Sequence, residues 1–304
     1  MVPGDPHDVR TQDLKAILGR LEALLDRPDL SAPYVRFRID LLKAQWAVRE
    51  SLATTNAPAA CMTPTGNTLR NHPALDLDAL PFDPGLLQSA FATLCDGAAR
   101  HGHQTEDIRL LREAVQTDPS LLPRLVRKSA SEPDQEYLES LARQLRVLPD
   151  VLLFIGRALA APVVAEAVRR FGPHPQVRCV ATETPGRCRM CGSPPTMATL
   201  RREDGRRILT CGLCGTGWEF PRLACPWCGT RDREALSILR LSPEDPRWIE
   251  ACESCRGYIK TVDERRLPVG EPVLPVVEEA ATLHLDLLAE REGYLCRLPY
   301  VLSG

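Results

Sequence analysis

Two stretches of this chain, each with a pair of cysteines at both ends, determine the fold of its second half. The first is CRMCGSPPTMATLRREDGRRILTCGLC, residues 188–214, and the second is CPWCGTRDREALSILRLSPEDPRWIEACESC, residues 225–255. Each stretch has a C-x-x-C pair, β-like segments around a turn, and a second C-x-x-C pair. The chain therefore carries one type of unit twice in succession.

The spacing of the cysteine pairs predicts two sites with four thiolates each. Nineteen residues (192–210) separate the first pair from the second, and 23 residues (229–251) separate the third from the fourth. Such gaps suit two strands and a turn, which bring two pairs to one ion. Ten residues (215–224) separate the central pairs, so an interleaved pairing stays open beside the sequential one. The predicted metal ligands are Cys188, Cys191, Cys211 and Cys214 at one site and Cys225, Cys228, Cys252 and Cys255 at the other.

The chemistry of a C-x-x-C turn explains this choice of residues. Both sulfurs of the turn point at one ion, and a glycine after the second cysteine tolerates the positive φ that the turn needs. Gly192, Gly215 and Gly229 stand at that position, whereas the fourth pair is followed by Arg256. Four thiolates in a tetrahedron suit zinc or a single iron, with metal–sulfur bonds of about 2.3 Å. The spacing does not choose between these metals.

The remaining sequence points to a reducing compartment. Eight of twelve cysteines form C-x-x-C pairs, which in a reducing cytosol are typical of metal ligands. Residues 1–8 show no basic and apolar leader, so no signal peptide is predicted. The apolar stretch 147–168 is interrupted by charged residues and prolines, which favours a buried helix or helix pair over a membrane span. We expect a cytoplasmic protein.

Helical periodicity dominates the first half. Apolar residues recur at helical spacing in 9–25 and 34–52, and further helices are predicted at 84–100, 105–117, 119–130, 134–148 and 150–171. The predicted fold is a multidomain α+β protein: an all-α helical bundle, then two small tandem β lobes of the zinc-ribbon or rubredoxin type, then a C-terminal helix at 277–292. The predicted domains are a helical domain at 1–180, a first metal-binding lobe at 181–222, and a second at 223–304 with the C-terminal helix.

The composition of the sites argues against an enzyme. A catalytic metal keeps an open coordination position, and four cysteines leave none. No phosphate-binding, nucleophile-elbow or dinucleotide motif occurs in the sequence. A nucleic-acid-binding zinc ribbon is the leading rival, but it needs a basic face, and residues 181–304 contain 17 Lys/Arg and 18 Asp/Glu, a net of 17 − 18 = −1. An electron-transfer role at the metal sites is the second rival, and purely structural metal stays open.

The motifs of the second half resemble those of a known family, the formate dehydrogenase accessory proteins called FdhE. The resemblance covers residues 185–294. It is carried by Cys188-x-x-Cys191-Gly-Ser-Pro-Pro, Cys211-x-x-Cys214-x-x-x-Trp218, Arg222-x-x-Cys225-x-x-Cys228, Cys252-x-x-Cys255-x-Gly257-Tyr258-Ile259-Lys260 and Leu285-Asp286-Leu287-Leu288-Ala289-Glu290-x-x-Gly293-Tyr294.

This resemblance implies a function that spacing alone does not give. Such proteins are cytoplasmic and are needed for active respiratory formate dehydrogenase. They bind its catalytic subunit, a molybdenum, selenocysteine and iron–sulfur protein, before its export by the twin-arginine route, and they resemble maturation or proofreading factors. Their cysteine sites are rubredoxin-like and associated with iron. By this resemblance we expect iron here, with zinc as the alternative. The client-binding face is expected on the metal-binding lobes and the last helix.

Overall fold

The described residues form helices in the first half of the chain and one sheet in the second. A computed structural model describes residues 14–53, 73–102, 105–130, 132–171 and 186–296. The helices are α1 (Leu14–Ala23), α2 (Ala32–Ala53), α3 (Pro84–Arg100), α4 (Thr105–Thr117), α5 (Leu121–Ser129), α6 (Gln135–Leu145), α7 (Pro149–Phe171), α8 (Pro275–Ala281) and α9 (Leu283–Arg291). The strands are β1 (Pro195–Leu200), β2 (Arg207–Cys211), β3 (Gly217–Glu219), β4 (Leu236–Leu239), β5 (Arg247–Cys252) and β6 (Tyr258–Asp263).

Helix α7 lies at the centre of the helical half and contacts α2, α3, α5 and α6. Within the described ranges it is the one helix long and apolar enough to cross a membrane by length and composition, but 89% of its apolar window is buried in the molecule. The prediction of a buried helix is confirmed, and it is one helix rather than a pair. Helices α7 and α3 each begin at a proline, a residue that suits the first helical position.

One charged side chain of α7 connects the helical half to the first cysteine turn. Arg157 is fully buried, and its guanidinium donates hydrogen bonds to the backbone oxygens of Ser129 (3.3 Å) and Ala130 (2.6 Å). It also donates to Oγ of Ser193 at 2.6 Å. The backbone oxygen of Ser193 accepts the N–H of Cys188 at 3.0 Å. A single buried arginine thus holds the end of α5 and the first cysteine turn against α7.

The two cysteine units share one six-stranded sheet in the order β3-β2-β1-β6-β5-β4. Strand β1 pairs antiparallel with β2, and β5 pairs antiparallel with both β4 and β6. The two units join where β1 and β6 run parallel, with Met197 opposite Lys260 and Leu200 opposite Asp263. The sequence predicted two tandem lobes and not this connection. The domain boundaries stay a prediction, and the sheet crosses the one between residues 222 and 223.

The first hairpin has a wider turn than its sequence predicts. The pair Asp204-Gly205 is typical of a two-residue hairpin turn, but the strand ladder ends at the pair Leu200 and Arg207, so residues 201–206 form a longer loop. The N–H of Arg201 donates to the oxygen of Arg206, and the N–H of Gly205 donates back to Arg201, each at 2.9 Å. Gly205 has a φ of 66°. The glycine is needed, but at the end of a wider turn.

The C-terminal helix was predicted as one and is two. It breaks at Thr282, whose hydroxyl donates to the backbone oxygen of Glu278 at 2.6 Å. The break lets the two parts pack on different partners. Helix α8 contributes Val277, Ala280 and Ala281 to an apolar cluster with α1 and α2, whereas α9 contributes Leu285 and Ala289 to a cluster with β5 and β6.

A buried polar network fixes α9 to the sheet. Lys260 donates to Asp286 at 2.7 Å, and the hydroxyl of Tyr258 donates to the other oxygen of that carboxylate at 2.8 Å. Lys260 also donates to the backbone oxygen of Glu279 at 3.1 Å. Burial raises the pKa of Tyr258 above its ordinary value, and the nearby carboxylate of Asp286 raises it further, so the phenol stays a donor. Removing one partner would leave a buried charge uncompensated.

Pro162 lies in the middle of α7, and a neighbouring helix replaces the hydrogen bond that this proline removes. Proline has no N–H, so the backbone oxygen of Ala158, one turn earlier, loses its helical partner. The side-chain amide of Gln45 on α2 donates to that oxygen at 2.9 Å. Ala158 is buried, where an unsatisfied carbonyl is costly.

We therefore expect Gln45→Leu to lower the free energy of unfolding by about 1–3 kcal/mol, because the oxygen of Ala158 loses its donor. In a Pro162→Ala background the helix supplies its own N–H, and the same change at Gln45 should cost markedly less. Denaturant unfolding of the four proteins measures this coupling. Equal costs of the Gln45 change in both backgrounds would show that the two residues do not compensate each other.

Candidate metal centres

The structure brings the eight predicted cysteines together in two groups of four. Within each group the sulfurs all lie within 4.8 Å of one another. The grouping is the sequential one and not the interleaved one. We call Cys188, Cys191, Cys211 and Cys214 the first centre, and Cys225, Cys228, Cys252 and Cys255 the second centre.

The distances between sulfurs fit four ligands around one ion. The Sγ atoms of Cys188 and Cys214 lie 3.6 Å apart, and those of Cys191 and Cys211 lie 3.5 Å apart. In the second centre the two such distances are both 3.7 Å. A tetrahedron with metal–sulfur bonds of about 2.3 Å has edges of about 3.8 Å. A disulfide would need a sulfur–sulfur distance of about 2.05 Å, so these pairs are thiols and not disulfides.

All four cysteine turns have a similar backbone. After each second cysteine the chain takes a positive φ: 77° at Gly192, 74° at Gly215, 77° at Gly229 and 57° at Arg256. The first cysteine of each turn donates its N–H to a backbone oxygen five residues later, at 2.9 to 3.0 Å. Only glycine takes this conformation without strain, so the arginine marks a position with another role.

Backbone N–H groups also point at the sulfurs. Those of Leu213 and Cys214 lie 3.4 Å from Sγ of Cys211, and that of Trp227 lies 3.4 Å from Sγ of Cys225. Such donors stabilise a thiolate without adding a charge. These N–H groups therefore favour metal binding, because only the deprotonated thiolate binds a metal ion.

The electrostatics of the first centre call for a cation. Burial raises the pKa of Cys188 and Cys191 well above the ordinary thiol value. Burial acts in the same direction on Cys211, but hydrogen bonds from the other three thiols and from the backbone lower its pKa well below that value. The thiolate of Cys211 is therefore favoured, and those of Cys188 and Cys191 are opposed. A bound ion would remove this conflict, because it supplies the positive charge that four buried thiolates lack.

The second centre shows the same conflict in a more open setting. Burial raises the pKa of Cys225 and of Cys255. Burial opposes ionisation of Cys252 as well, but hydrogen bonds from the backbone of Cys255 and from the thiols of Cys228 and Cys225 lower its pKa. Cys228 is exposed and Cys255 is half-buried. The donor set fits the same kind of ion as the first centre.

Arg256 connects the second centre to the end of the C-terminal helix. Its guanidinium donates to the backbone oxygens of Glu292 (2.8 Å) and Gly293 (3.3 Å). The same group stacks over the ring of Tyr294 at 4.2 Å and pairs with Glu253. The backbone oxygen of Arg256 accepts the N–H of Leu295 at 2.7 Å. The sequence showed the departure from glycine but not these contacts.

Part of the chain matches a family model. Residues 187–222 match the model described as "FdhE, central domain". These residues contain the whole first centre and strands β1 to β3.

Curated relatives match a wider stretch. Three proteins named "Protein FdhE homolog" are similar to this chain: one from Aquifex aeolicus, 34% identical over 111 residues; one from Stutzerimonas stutzeri, 36% over 120; and one from Pseudomonas aeruginosa, 33% over 132. These matches cover 36, 38 and 40% of this chain. They cover 38, 37 and 41% of the relatives, so the chain spans about two fifths of the length of the curated relatives it matches.

A solved structure matches the whole fold. The crystal structure of the FdhE protein from Pseudomonas aeruginosa superposes with a TM-score of 0.51 at 22% sequence identity. The match covers 97% of this chain and 96% of that chain. At this identity the likeness shows the fold, an α+β arrangement of helices and a sheet.

The contacts of the Arg256 side chain can be tested separately from the strain of its positive φ. We expect Arg256→Gly to keep the positive φ and the second centre, but to release residues 292–296, because the contacts to Glu292, Gly293 and Tyr294 are lost. Hydrogen–deuterium exchange should be faster in that segment and unchanged in β1 and β2. Arg256→Ala loses the same contacts and keeps a strained φ, which costs about 1–2 kcal/mol more. Unchanged exchange at 292–296 in the glycine variant would rule out this role.

Proposed function

We propose, with the resemblance to the FdhE family confirmed, that this protein is a cytoplasmic accessory factor for the assembly, maturation or proofreading of respiratory formate dehydrogenase. The observation that carries the proposal is the pair of four-thiolate groups, the first of which lies within the residues that match the family model. The proposed partner is the catalytic subunit of formate dehydrogenase, and no stable association with nucleic acid or membrane is proposed.

The arrangement of the centres supports a role without catalysis. Each group offers four sulfurs to one ion, which fills a tetrahedron and leaves no position for a substrate or an activated water. A filled tetrahedron can order a small β unit or pass an electron. We infer that the protein acts by binding a client rather than by converting a substrate.

The proposed ion is iron at both centres, with zinc as the alternative. The resemblance favours iron, and the four-sulfur donor set suits both metals. When bound, the ion would supply the positive charge that lets buried thiolates coexist. The residues of this chain would supply the sulfurs, the N–H donors and the turns that aim them.

Metal analysis after anaerobic purification tests this assignment. We expect two ions per chain, with iron as the main metal and the visible absorption of ferric thiolate after mild oxidation. Paired variants serve as matched controls: Cys188→Ser with Cys191→Ser, and Cys225→Ser with Cys228→Ser, should each lose one ion. A colourless protein with two zinc ions from iron-replete cells would contradict iron. A chain that binds no metal would contradict the centres themselves.

Exposed apolar side chains support a client-binding face in the second half. Among the described residues, the large hydrophobic side chains with half or more of their surface exposed fall mostly at 223–295, with one, Leu148, in the helical half. They are Leu148, Leu223, Ile238, Leu241, Val269, Leu287 and Leu295. Large exposed apolar residues that share a surface are typical of interaction sites.

Two of these side chains share a cavity next to the second centre. Leu223 and Ile238 line a space of about 240 Å³ that also reaches Cys225 and Cys252. Arg207, Arg222, Arg233 and Glu250 line the same cavity, and Arg207 pairs with Glu250 at 2.7 Å. An apolar pocket with cationic residues at its walls suits a partner segment with both apolar and acidic side chains. We propose this cavity as part of the client-binding face.

Capture of the catalytic subunit tests this face. We expect the double variant Leu223→Ser, Ile238→Ser to capture at least about fivefold less subunit than the unchanged protein, because the apolar anchors are lost. Pull-down with equal amounts of folded protein is the measurement. Leu148→Ser is the matched control on the helical half and should capture normally. The variants are made in the full-length protein, because α8 packs against α1 and α2 and deletion of 181–304 would remove that packing. Unchanged capture by the double variant would reject the face.

A further inference from the structure

The two centres have the same ligands but different access to solvent. The four cysteines of the first centre are 0 to 4% exposed. In the second centre Cys225 and Cys252 are equally buried, but Cys228 is exposed and Cys255 is half-buried. Equal turns thus lie in unequal surroundings.

The first centre is enclosed by the main apolar core. All four of its cysteines belong to the same buried cluster as the apolar residues of α7, with Leu213, Trp218 and Ile259 packed in that cluster. Its first turn is also held by the chain of hydrogen bonds from Arg157 to Ser193. Cys211 and Cys214 also line a cavity of about 180 Å³, but the two residues are only 3 and 4% exposed. Access of an incoming ligand to all four sulfurs therefore requires part of that packing to open, which costs a share of the protein's folding free energy.

The second centre opens on a large cleft. Cys228 and Cys255 line a cavity of about 980 Å³ together with Trp227 and Tyr294. Its opposite wall comes from the helical half and includes Gln135 and Leu153. Ligand pockets for small molecules have volumes of about 300–1,000 Å³, so a chelator or a short thiol peptide has room to enter. The cysteine cluster of the second centre lies outside the main apolar core.

We propose that the second centre exchanges its ion through this cleft while the first centre keeps its own. The inference rests on the proposed function of both groups as metal centres. Cys228 is the ligand that leaves. An incoming thiolate binds the ion as the bond to Cys228 breaks, and Cys228 takes up a proton from water. No electron is transferred. The first centre then stabilises the fold, and the second is the one that a thiol ligand or a partner's cysteine can reach.

The structure suggests why exchange at the second centre would not unfold the protein. Strands β4 to β6, which carry its later cysteines, are part of the common sheet through the parallel pairing of β1 and β6. Arg256, Glu253 and Tyr294 hold the fourth cysteine turn to the end of α9. These contacts do not need the ion. The centre can therefore lose a ligand while its surroundings stay folded.

Release of zinc from the full-length protein tests whether the second centre exchanges its ion while the first keeps its own. The protein is loaded with two zinc ions and mixed with the chelator 4-(2-pyridylazo)resorcinol. We expect one ion to leave at least about tenfold faster than the other. Iodoacetamide is added when one ion has left, and labelled peptides are mapped by mass spectrometry. The label should fall on the second centre and not on the first. Cys95, which is fully buried and whose pKa burial raises to about 11, is an internal thiol that should stay unlabelled.

A variant of the cleft wall provides a second measurement that spares the ligands. Gln135→Trp adds bulk to the wall facing the second centre, and we expect it to slow the fast phase by at least about threefold. Gln88→Trp, at an exposed position of α3 that does not line the cleft, is the matched control and should leave the rate unchanged.

Each outcome is decisive. Two ions that leave at one rate, label on the first centre, or a fast phase that ignores Gln135→Trp would overturn the division of roles. A protein that binds two ions and gives any of these results would still be a two-centre protein. Failure to bind two ions would instead reject the proposed metal centres, and the inference with them.

Discussion

The convergence of four sulfurs within bonding distance of one ion is the constraint on which the second half of this molecule depends. Strands of three to six residues in an isolated hairpin bury little apolar surface, and here they share one sheet that packs against the helices. At sulfur–sulfur distances of 3.5 to 3.7 Å, a bound cation would fix the cysteine turns that join these strands. A bound cation would offset the burial that opposes ionisation of most of these thiols. Fold and metal chemistry are therefore two consequences of one arrangement.

Local features were predictable because short-range chemistry decides them. Asp83 stands directly before Pro84 and is a residue type that favours the helix N-cap, and its side chain accepts the N–H of Leu86 at 2.7 Å. The helices at 84–100 and 105–117 have the predicted bounds. The sequential grouping of the cysteines was the simpler of the two pairings that the gaps allowed, and the structure has that grouping. In all these cases the partners lie within about thirty residues of each other, and glycine, proline or cysteine limits the alternatives.

Long-range features were not predictable in the same way. The parallel pairing of β1 with β6 joins residues more than sixty positions apart, and nothing in either strand specifies the other as its neighbour. The strand β6 contains Lys260 and Thr261, polar residues that argue against a buried central strand until Asp286 is known to lie beside Lys260. The break at Thr282 has a similar cause, since the two parts of one amphipathic pattern pack on different clusters. Contacts between distant segments determined the strand order and the helix break, which the periodicity of the sequence did not specify.

Two arginines show how the same cysteine turn is placed in different surroundings. In the first centre a buried arginine of α7 reaches the turn through Ser193, so the centre is tied to the core of the helical half. In the second centre an arginine of the turn itself reaches outward to the end of α9. The first arrangement encloses the turn, because the guanidinium that reaches it is itself fully buried. The second leaves the turn at the surface. The sulfur geometry is common to both centres, and the direction in which each is anchored decides whether its ligands meet the core or the solvent.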